Sequence, residues 1–361
     1  MLQHPAPSTT GLHQGSSAII TNEQLQSAFE QLAAGRGPGV FAQVTDQGEE
    51  VFSAAAGTAD LARPRPITST DRFRIASATK PMLATVILQL TAEGRLAPTD
   101  TVQHLLPELL PGGDRISVES LLRMRSGLPD YVWAVLGDPP EVSRLQRYFR
   151  PEELIGIALA QPDRWEPGRA WRYSNTDYLL LGLIAEAITG TALPELLRQR
   201  IFGPLGLHAT CMPVRDVHIE GPHPRGYFRN DIESGYVDTT EFTPSESWAS
   251  GAVISTPPEL ARFLDALLDG RLLPPTEVDA MRTMAPATGE LHYGMGLFSY
   301  RLANGTLLHG HGGTHFGVAC YAFRSERGRT AVIYQNSWDR EPRHTAPERL
   351  PRGRLRLNRS G

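Results

Sequence analysis

Three short stretches hold residue types that could break an acyl bond. Ser77-Ala-Thr-Lys80 sets a hydroxyl and an amine three residues apart, which on a helix puts both on one face of a single turn. Tyr173-Ser-Asn175 follows the turn-forming Trp165-Glu-Pro-Gly168 and precedes a helical pattern, DYLLLGLIAEAITG. A phenol titrates near ~10 in water. Close to a lysine ammonium its anion becomes accessible, so Tyr173 and Lys80 could share the proton of Ser77 and return it to a leaving group. Gly310-His-Gly-Gly-Thr-His-Phe-Gly317 reads as a glycine-rich strand edge, where a ligand can approach the backbone and an amide N–H can meet a developing oxyanion. Each stretch also has a plainer reading. Ser77 could simply cap a helix, Tyr173 could cap the next one, and His309, His311 and His315 could bind a metal. No nearby carboxylate completes a ligand set and no H-E-x-x-H pattern occurs, so no metal is expected. A phosphate loop fares no better, since no Lys or Ser/Thr follows in Walker fashion.

One feature of composition singles out the first stretch. Lys80 is the only lysine among 35 basic residues. A chain so biased would write a surface cation as Arg, and Arg cannot surrender its proton whereas a desolvated Lys can, so a retained Lys points to proton chemistry. The other averages set bounds. A chain of 361 residues, 40% hydrophobic and 20% charged, can bury a large core, which excludes disordered and fibrous classes. A net charge of -4 with both signs interspersed leaves no basic field for nucleic acid. A small-molecule or short-peptide acyl substrate is the expected partner, with no cofactor, and nothing in the sequence speaks to oligomeric state. Cys211 and Cys320 sit in unrelated contexts; neither a zinc site nor a disulfide is expected, and both read as buried apolar fillers. The N-terminal MLQHPAPSTTGLHQGSS has no basic start and no apolar run long enough for a signal peptide or a membrane span. A cytoplasmic location is therefore expected, or an exported one if a leader has been removed.

The elements that must position these residues follow from pattern. Thr21-Asn-Glu-Gln24 is a capping box before the helix LQSAFEQLAA. Val40–Val44 and Val51–Ala56 flank a turn signal and read as a hairpin. After Ser77 the stretch PMLATVILQLTAEGRL is apolar on most faces, which predicts a helix in the middle of the protein ending at Gly94. Residues 96–244 show mostly helical patterns, with irregular stretches at 128–153 and 214–241 suited to a substrate rim. From Trp248 onward strands return: GAVIST, then, after a helix PELARFLDALLDG, YGMGLFSYRL, TLLHGHGG, VACYAF and TAVIYQN. Strands at both ends with helices between predict an α/β (α+β) architecture. An antiparallel sheet flanked by helices, from 15–95 plus 245–340, carries an inserted all-helical domain, 96–244. The arginine- and proline-rich tail, 341–361, reads as loosely ordered.

The order Ser-x-x-Lys, Tyr-x-Asn, His-x-Gly, with the flanks FRIASATK, LLRMRSGLPDY, WEPGRAWRYSNTDYLLLG, IFGPLGLHAT and ASGAVISTPPELARFLDALLDGRL, resembles the serine β-lactamase-like family. That family includes class C β-lactamases, D,D-carboxypeptidases, family VIII esterases, D-amino-acid peptidases and biosynthetic acyltransferases. The resemblance runs from about Val40 to Asn336. It implies a β-lactamase/penicillin-binding-protein-like fold in which Ser77 attacks an acyl carbonyl, Lys80 keeps its hydroxyl activated and Tyr173 relays the proton. Asn175 would bond Lys80 or a substrate amide. His311 would replace the lysine of a KTG motif, polarising the site or holding a substrate acyl or carboxyl group, with Gly312, Gly313 and Thr314 beside it. The backbone N–H groups of Ser77 and Thr314 would form the oxyanion hole, and the product of attack would be an acyl-enzyme. The class A pattern S-D-N is replaced here by YSN, and Glu166 reads as a loop residue rather than a base.

One departure bears on specificity. Relatives that release a terminal D-residue place an Arg just after the YG-x-GL strand to receive its carboxylate, whereas this chain has Phe298, with Arg301 further on. An unpaired carboxylate there would cost several kcal/mol, so a neutral ester or amide is expected unless Arg301 substitutes. The predicted function is hydrolysis or transfer through a Ser77 acyl-enzyme, as an esterase, amidase or carboxypeptidase-like hydrolase. A biosynthetic transacylase or transesterase comes second, and a non-catalytic β-lactam or peptide sensor third.

Overall fold

The computed structural model describes residues 21–137, 140–229 and 235–339; the tail at 341–361 lies outside the described residues. The helix Asn22–Ala33 opens on the expected reciprocal cap, with the Gln24 N–H donating to the Thr21 hydroxyl and the Thr21 N–H to Gln24 Oε1 at 2.9 Å. The hairpin follows as β1 (Gly39–Asp46) and β2 (Glu49–Gly57). Two residues, Phe73–Arg74, make β3. Ten of the thirteen residues of the helix Lys80–Ala92 are buried, so the near-continuous apolar run indeed places it between layers. It packs on the helix Asn175–Thr189 and, on another side, reaches the sheet.

The later strands are β4 (Tyr227–Arg229), β5 (Val237–Asp238), β6 (Ile254–Ser255), β7 (Ala285–Thr288) and β8 (Leu291–Tyr293). They continue as β9 (Phe298–Arg301), β10 (Leu307–His315), β11 (Val318–Ser325), β12 (Arg329–Gln335) and β13 (Ser337–Asp339). Eight of them form one sheet in the order β2-β1-β12-β11-β10-β9-β8-β7, with every neighbouring pair antiparallel. The N-terminal hairpin joins the C-terminal strands through β1 and β12, where Val40 faces Gln335 and Asp46 faces Arg329. This is the predicted α/β class: a mixed fold in which helices flank an antiparallel sheet closed by distant segments. One contiguous buried cluster includes Val332 and Phe41 of the sheet together with Leu83, Leu121, Leu154 and Leu180 of the helices. Among the described residues no single helix is long and apolar enough to cross a membrane.

Three expectations are corrected. GAVIST is not a strand of the main sheet, since only Ile254–Ser255 is extended and it pairs with Phe73–Arg74. A tight turn at Trp248–Ser250 precedes it, and Pro257 and Pro258, which start the helix Pro257–Leu268, cut it short. The stretch 214–241 is not wholly irregular, because β4 and β5 join β13 in a small three-stranded sheet. Cys211 is exposed rather than buried: its backbone bridges Ile254 and its side chain stays at the surface. Cys320, by contrast, is fully buried on β11, and burial pushes its thiol far above the ordinary range.

Where the sheet meets the start of the central helix, the contact is backbone to backbone. A Cβ on Gly313 of β10 would lie 2.3 Å from Ile75 O and 2.8 Å from Ser77 N, so only glycine lets the strand come this close. Gly156, in the exposed interior of the helix Pro151–Leu159, has nothing within 4 Å of the same position. Gly313→Ala should therefore cost about 1–3 kcal/mol by overpacking, whereas Gly156→Ala should stabilise by about 0.5–1 kcal/mol through backbone entropy. Urea denaturation of both variants tests this, and a Gly313→Ala protein as stable as wild type would refute the close approach.

Candidate active site

Ser77 sits in a 3-10 turn, Ala76–Thr79, directly before the helix Lys80–Ala92. With three residues per turn, positions i and i+3 eclipse, so Lys80 stands over Ser77 more directly than on an α-helical face. Its Nζ donates to Ser77 Oγ at 3.0 Å. Ser77 caps no helix, and it is the one residue of its turn left partly exposed. Ala76 immediately before it is held at φ 47°, a left-handed value costly for a residue with a Cβ.

Lys80 is fully buried. Besides Ser77 it donates to Asn175 Oδ1 at 2.7 Å and to the Ser250 carbonyl at 2.9 Å, which uses all three hydrogens of an ammonium. Burial pushes its pKa down to about 7, against the opposing pull of Asp130 and Glu246. Tyr173 donates its phenol to Ser77 Oγ at 2.8 Å, and its ring centroid lies 4.9 Å from Lys80 Nζ. Burial pushes that phenol well above its ordinary value. The expected accessible phenolate is thus not what the environment favours, because desolvation of the phenol outweighs the neighbouring amine. Lys80 is the group whose proton affinity is brought near neutrality.

Asn175 begins the helix Asn175–Thr189, and its Nδ2 donates to Asp130 Oδ2 at 2.9 Å. Its carbonyl therefore points at Lys80. Burial raises the Asp130 carboxyl to about 6. The segment carrying Asp130 is fastened to that helix by Thr176 Oγ1 donating to Pro129 O at 2.7 Å and by Ser126 Oγ donating to Asp177 Oδ1 at 2.5 Å. Neither Asp130 nor Ser250 stood out in the sequence analysis. Asp130 lies inside the flank LLRMRSGLPDY, where its type and place offered a signal; Ser250 acts through a main-chain carbonyl, which no residue type reveals.

On the facing wall, β10 pairs with β9 only as far as Gly310, so the edge from His311 to His315, with Gly312, Gly313 and Thr314, is left facing the Ser77 turn. His311 is buried, and its Nδ1 lies 2.5 Å from the Gly312 carbonyl. A carbonyl only accepts, so Nδ1 carries the hydrogen and Nε2, which has no partner among the described residues, is an acceptor. Burial and then the charge on Lys80 push His311 down to about 3. It therefore brings no positive charge to the site. The three strand histidines do not converge: His309 is pushed down to about 4 by burial and Arg282, and His315 bonds Glu246.

Phe298 packs its ring 5.0 Å from His311, 4.7 Å from Tyr293 and 6.2 Å from Trp171, making one aromatic wall. Arg301 does not join it. It is exposed at the end of β9 and donates to Gly305 O at 2.8 Å within its own hairpin turn, about 10 Å along the strand from Phe298. The expectation that Arg301 could substitute for a carboxylate-reading Arg is corrected on that ground. Glu166 is exposed and paired with Arg115 at 2.7 Å.

The chain is similar to several known proteins. The model of the Beta-lactamase family matches residues 25–352. A D-aminopeptidase of Cereibacter sphaeroides is 30% identical over 308 residues, covering 82% of this chain and 56% of that protein. The chain thus spans about half the length of the D-aminopeptidases it matches. Esterase EstB of Burkholderia gladioli is 29% identical, covering 72% of this chain and 73% of the esterase. Among solved structures, a D-stereospecific amidohydrolase from Streptomyces sp. superposes with a TM-score of 0.81 at 31% identity, covering 88% of this chain and 94% of that one. The D-amino acid amidase from Ochrobactrum anthropi SV3, complexed with L-phenylalanine, gives a TM-score of 0.80 at 29% identity over 89% and 93%. With a family model matched over most of its length and solved relatives superposing across the same span, this chain belongs to the Beta-lactamase family.

Proposed function

We propose that the protein is a serine hydrolase that works through an acyl-enzyme on Ser77, with neutral amides or esters of D-amino acids as its substrate class. The observation that carries this reading is the convergence on Ser77 Oγ of Lys80 Nζ at 3.0 Å and the Tyr173 hydroxyl at 2.8 Å, with the lysine's proton affinity lowered to about 7. In its neutral form Lys80 accepts the Ser77 proton as the oxygen attacks the carbonyl carbon. Tyr173, protonated at rest, passes its proton to the departing amine or alcohol and is reprotonated by the Lys80 ammonium, so both groups return to their starting states. Water can then repeat the sequence on the acyl-enzyme, with Lys80 taking the water proton and Tyr173 returning one to Ser77 Oγ. The free edge of β10 beside Ser77 N offers backbone donors to the oxyanion. The names of the relatives supply the amide, ester and D-amino-acid parts of the reading.

The preference for a neutral leaving group rests on charge. Lys80 is enclosed by three protein partners, His311 is uncharged, Phe298 is apolar and Arg301 is held in its turn. None of these can offset the desolvation of a substrate carboxylate.

A fluorophosphonate probe should label wild type, with the added mass on Ser77, and leave Ser77→Ala unlabelled. Lys80→Arg should be as inactive as Lys80→Ala, since a guanidinium cannot act as a base. For wild type, kcat/KM should fall about tenfold per pH unit below about pH 7, because the lowered pKa means that acid protonates Lys80. Labelling of Ser77→Ala, or a flat profile between pH 5 and 9, would remove the assignment.

Specificity is tested separately with a D-amino-acid-terminated peptide as its amide, its methyl ester and its free acid. The neutral forms should exceed the acid by about a hundredfold in kcat/KM, the equivalent of a few kcal/mol, and Phe298→Arg should narrow that gap. A wild type preferring the acid would restore a carboxypeptidase reading.

A further inference from the structure

Beside the reacting groups lies a second buried cluster that the chemistry above does not use. Glu246 has a side chain 1% exposed, and its Oε2 lies 2.8 Å from His315 Nε2. Ser247 Oγ donates to the same oxygen at 2.8 Å. Burial alone would raise this carboxyl, but its contacts with His315, then Ser247, hold it below the usual carboxylate range.

The location of the two partners matters more than the pair itself. His315 is the last residue of β10, two beyond Gly313, whose backbone touches the Ser77 turn; with a period of two, both project from the same face of the strand. Glu246 ends the turn Pro244–Glu246. Its carbonyl accepts the Tyr131 hydroxyl at 2.7 Å, that hydroxyl lies 3.3 Å from Ser250 Oγ, and the Ser250 carbonyl holds Lys80. The pair therefore joins the strand that faces Ser77 to the segment that holds its lysine. His315 also stacks on Phe242, with centroids 4.5 Å apart and planes at 12°. Arg74, three residues before Ser77, lays its guanidinium 4.3 Å from the Phe242 ring and donates to Val217 O at 2.8 Å and Phe242 O at 3.3 Å. Arg74, Phe242, His315 and Glu246 thus form one buried column beside the gap between β10 and the Ser77 turn.

We propose that Glu246 and His315 are positioning residues whose hydrogen bond fixes the spacing between the edge of β10 and the Ser77–Lys80 turn for acyl transfer. A buried pair returns little net stability, because desolvation offsets the attraction, and an apolar pair of similar volume packs as well. What the hydrogen-bonded pair adds is direction, since the bond is made in one register of strand against turn. An oxyanion donor displaced by about 1 Å costs on the order of a hundredfold in rate, so a loss of register is read in kcat.

The proposal rests on the acyl-enzyme reading, and one set of measurements separates the two. Wild type and three variants, Glu246→Gln, His315→Phe and the double variant Glu246→Leu/His315→Phe, are compared for thermal midpoint, kcat and KM on one D-amino acid amide. His315→Phe keeps the ring against Phe242 but strands a buried carboxylate, so it is expected to melt earlier. The double variant removes that charge and should melt at or above wild type, yet show kcat lowered about ten- to a hundredfold with KM within about threefold. Glu246→Gln keeps a hydrogen bond to His315 and should retain more kcat than the double variant. A stable double variant with wild-type kcat overturns the proposal, as does a loss carried wholly by KM. Failure of the underlying reading looks different: wild type itself would then form no fluorophosphonate adduct on Ser77.

Discussion

An amine enclosed on all sides and met by three acceptors is the constraint on which the rest of the molecule depends. Lys80 Nζ reaches Ser77 in its own turn, Asn175 at the head of a helix 95 residues later, and the Ser250 carbonyl 170 residues away. Stranding any of these partners, or the amine, would leave a buried polar group unmatched at a cost of several kcal/mol. The helices and the sheet must therefore close on one another with the lysine between them. The same enclosure lowers its pKa to about 7, so the act of assembling the fold also sets the proton affinity that the proposed chemistry needs.

Strain gathers around this point. Of the non-glycine residues at positive φ, Ala76 precedes Ser77, Trp248 lies two residues before Ser250, and Met124 lies two before Ser126 in the segment that carries Asp130. Each is buried in the main cluster, where packing over-determines the backbone and can hold a conformation that would relax in a loop. Gly313 adds the complementary device, in which a missing Cβ lets a sheet edge touch the turn. The site is thus built by forcing backbones together as much as by choosing side chains.

Charge around the site is spent sparingly. His311 is kept neutral by burial beside the lysine, Tyr173 is kept protonated, and Trp171, Tyr293 and Phe298 supply an apolar wall. Glu246, a buried carboxyl near the site, is held by His315 and Ser247. Such a site is suited to polarity that develops during a reaction rather than to charge carried in by the substrate.

How much of this was legible beforehand depended on the range of the interactions. Periods of two and 3.6 residues, turn signals and the capping box at Thr21 are local, so the sequence alone determined the hairpin, the buried helix after Ser77 and the antiparallel strands. The lone lysine likewise pointed to proton chemistry, and the resemblance carried by the order and flanks of the Ser77, Tyr173 and His311 motifs marked a candidate site. Tertiary structure decided the rest. Arg301 and Phe298 are near neighbours in sequence, but a hairpin turn sends one to solvent and the other to the aromatic wall. GAVIST has the pattern of a sheet strand, and the turn and prolines at its ends confine it to a two-residue pairing. Ser250 acts through a carbonyl that every residue possesses, and Glu246 meets His315 across 69 positions. Above all, the proton affinities of Lys80, Tyr173 and His311 follow from desolvation, which sums over everything packed around a group. A sequence names the titratable residues, but only the folded chain determines which of them lose their water.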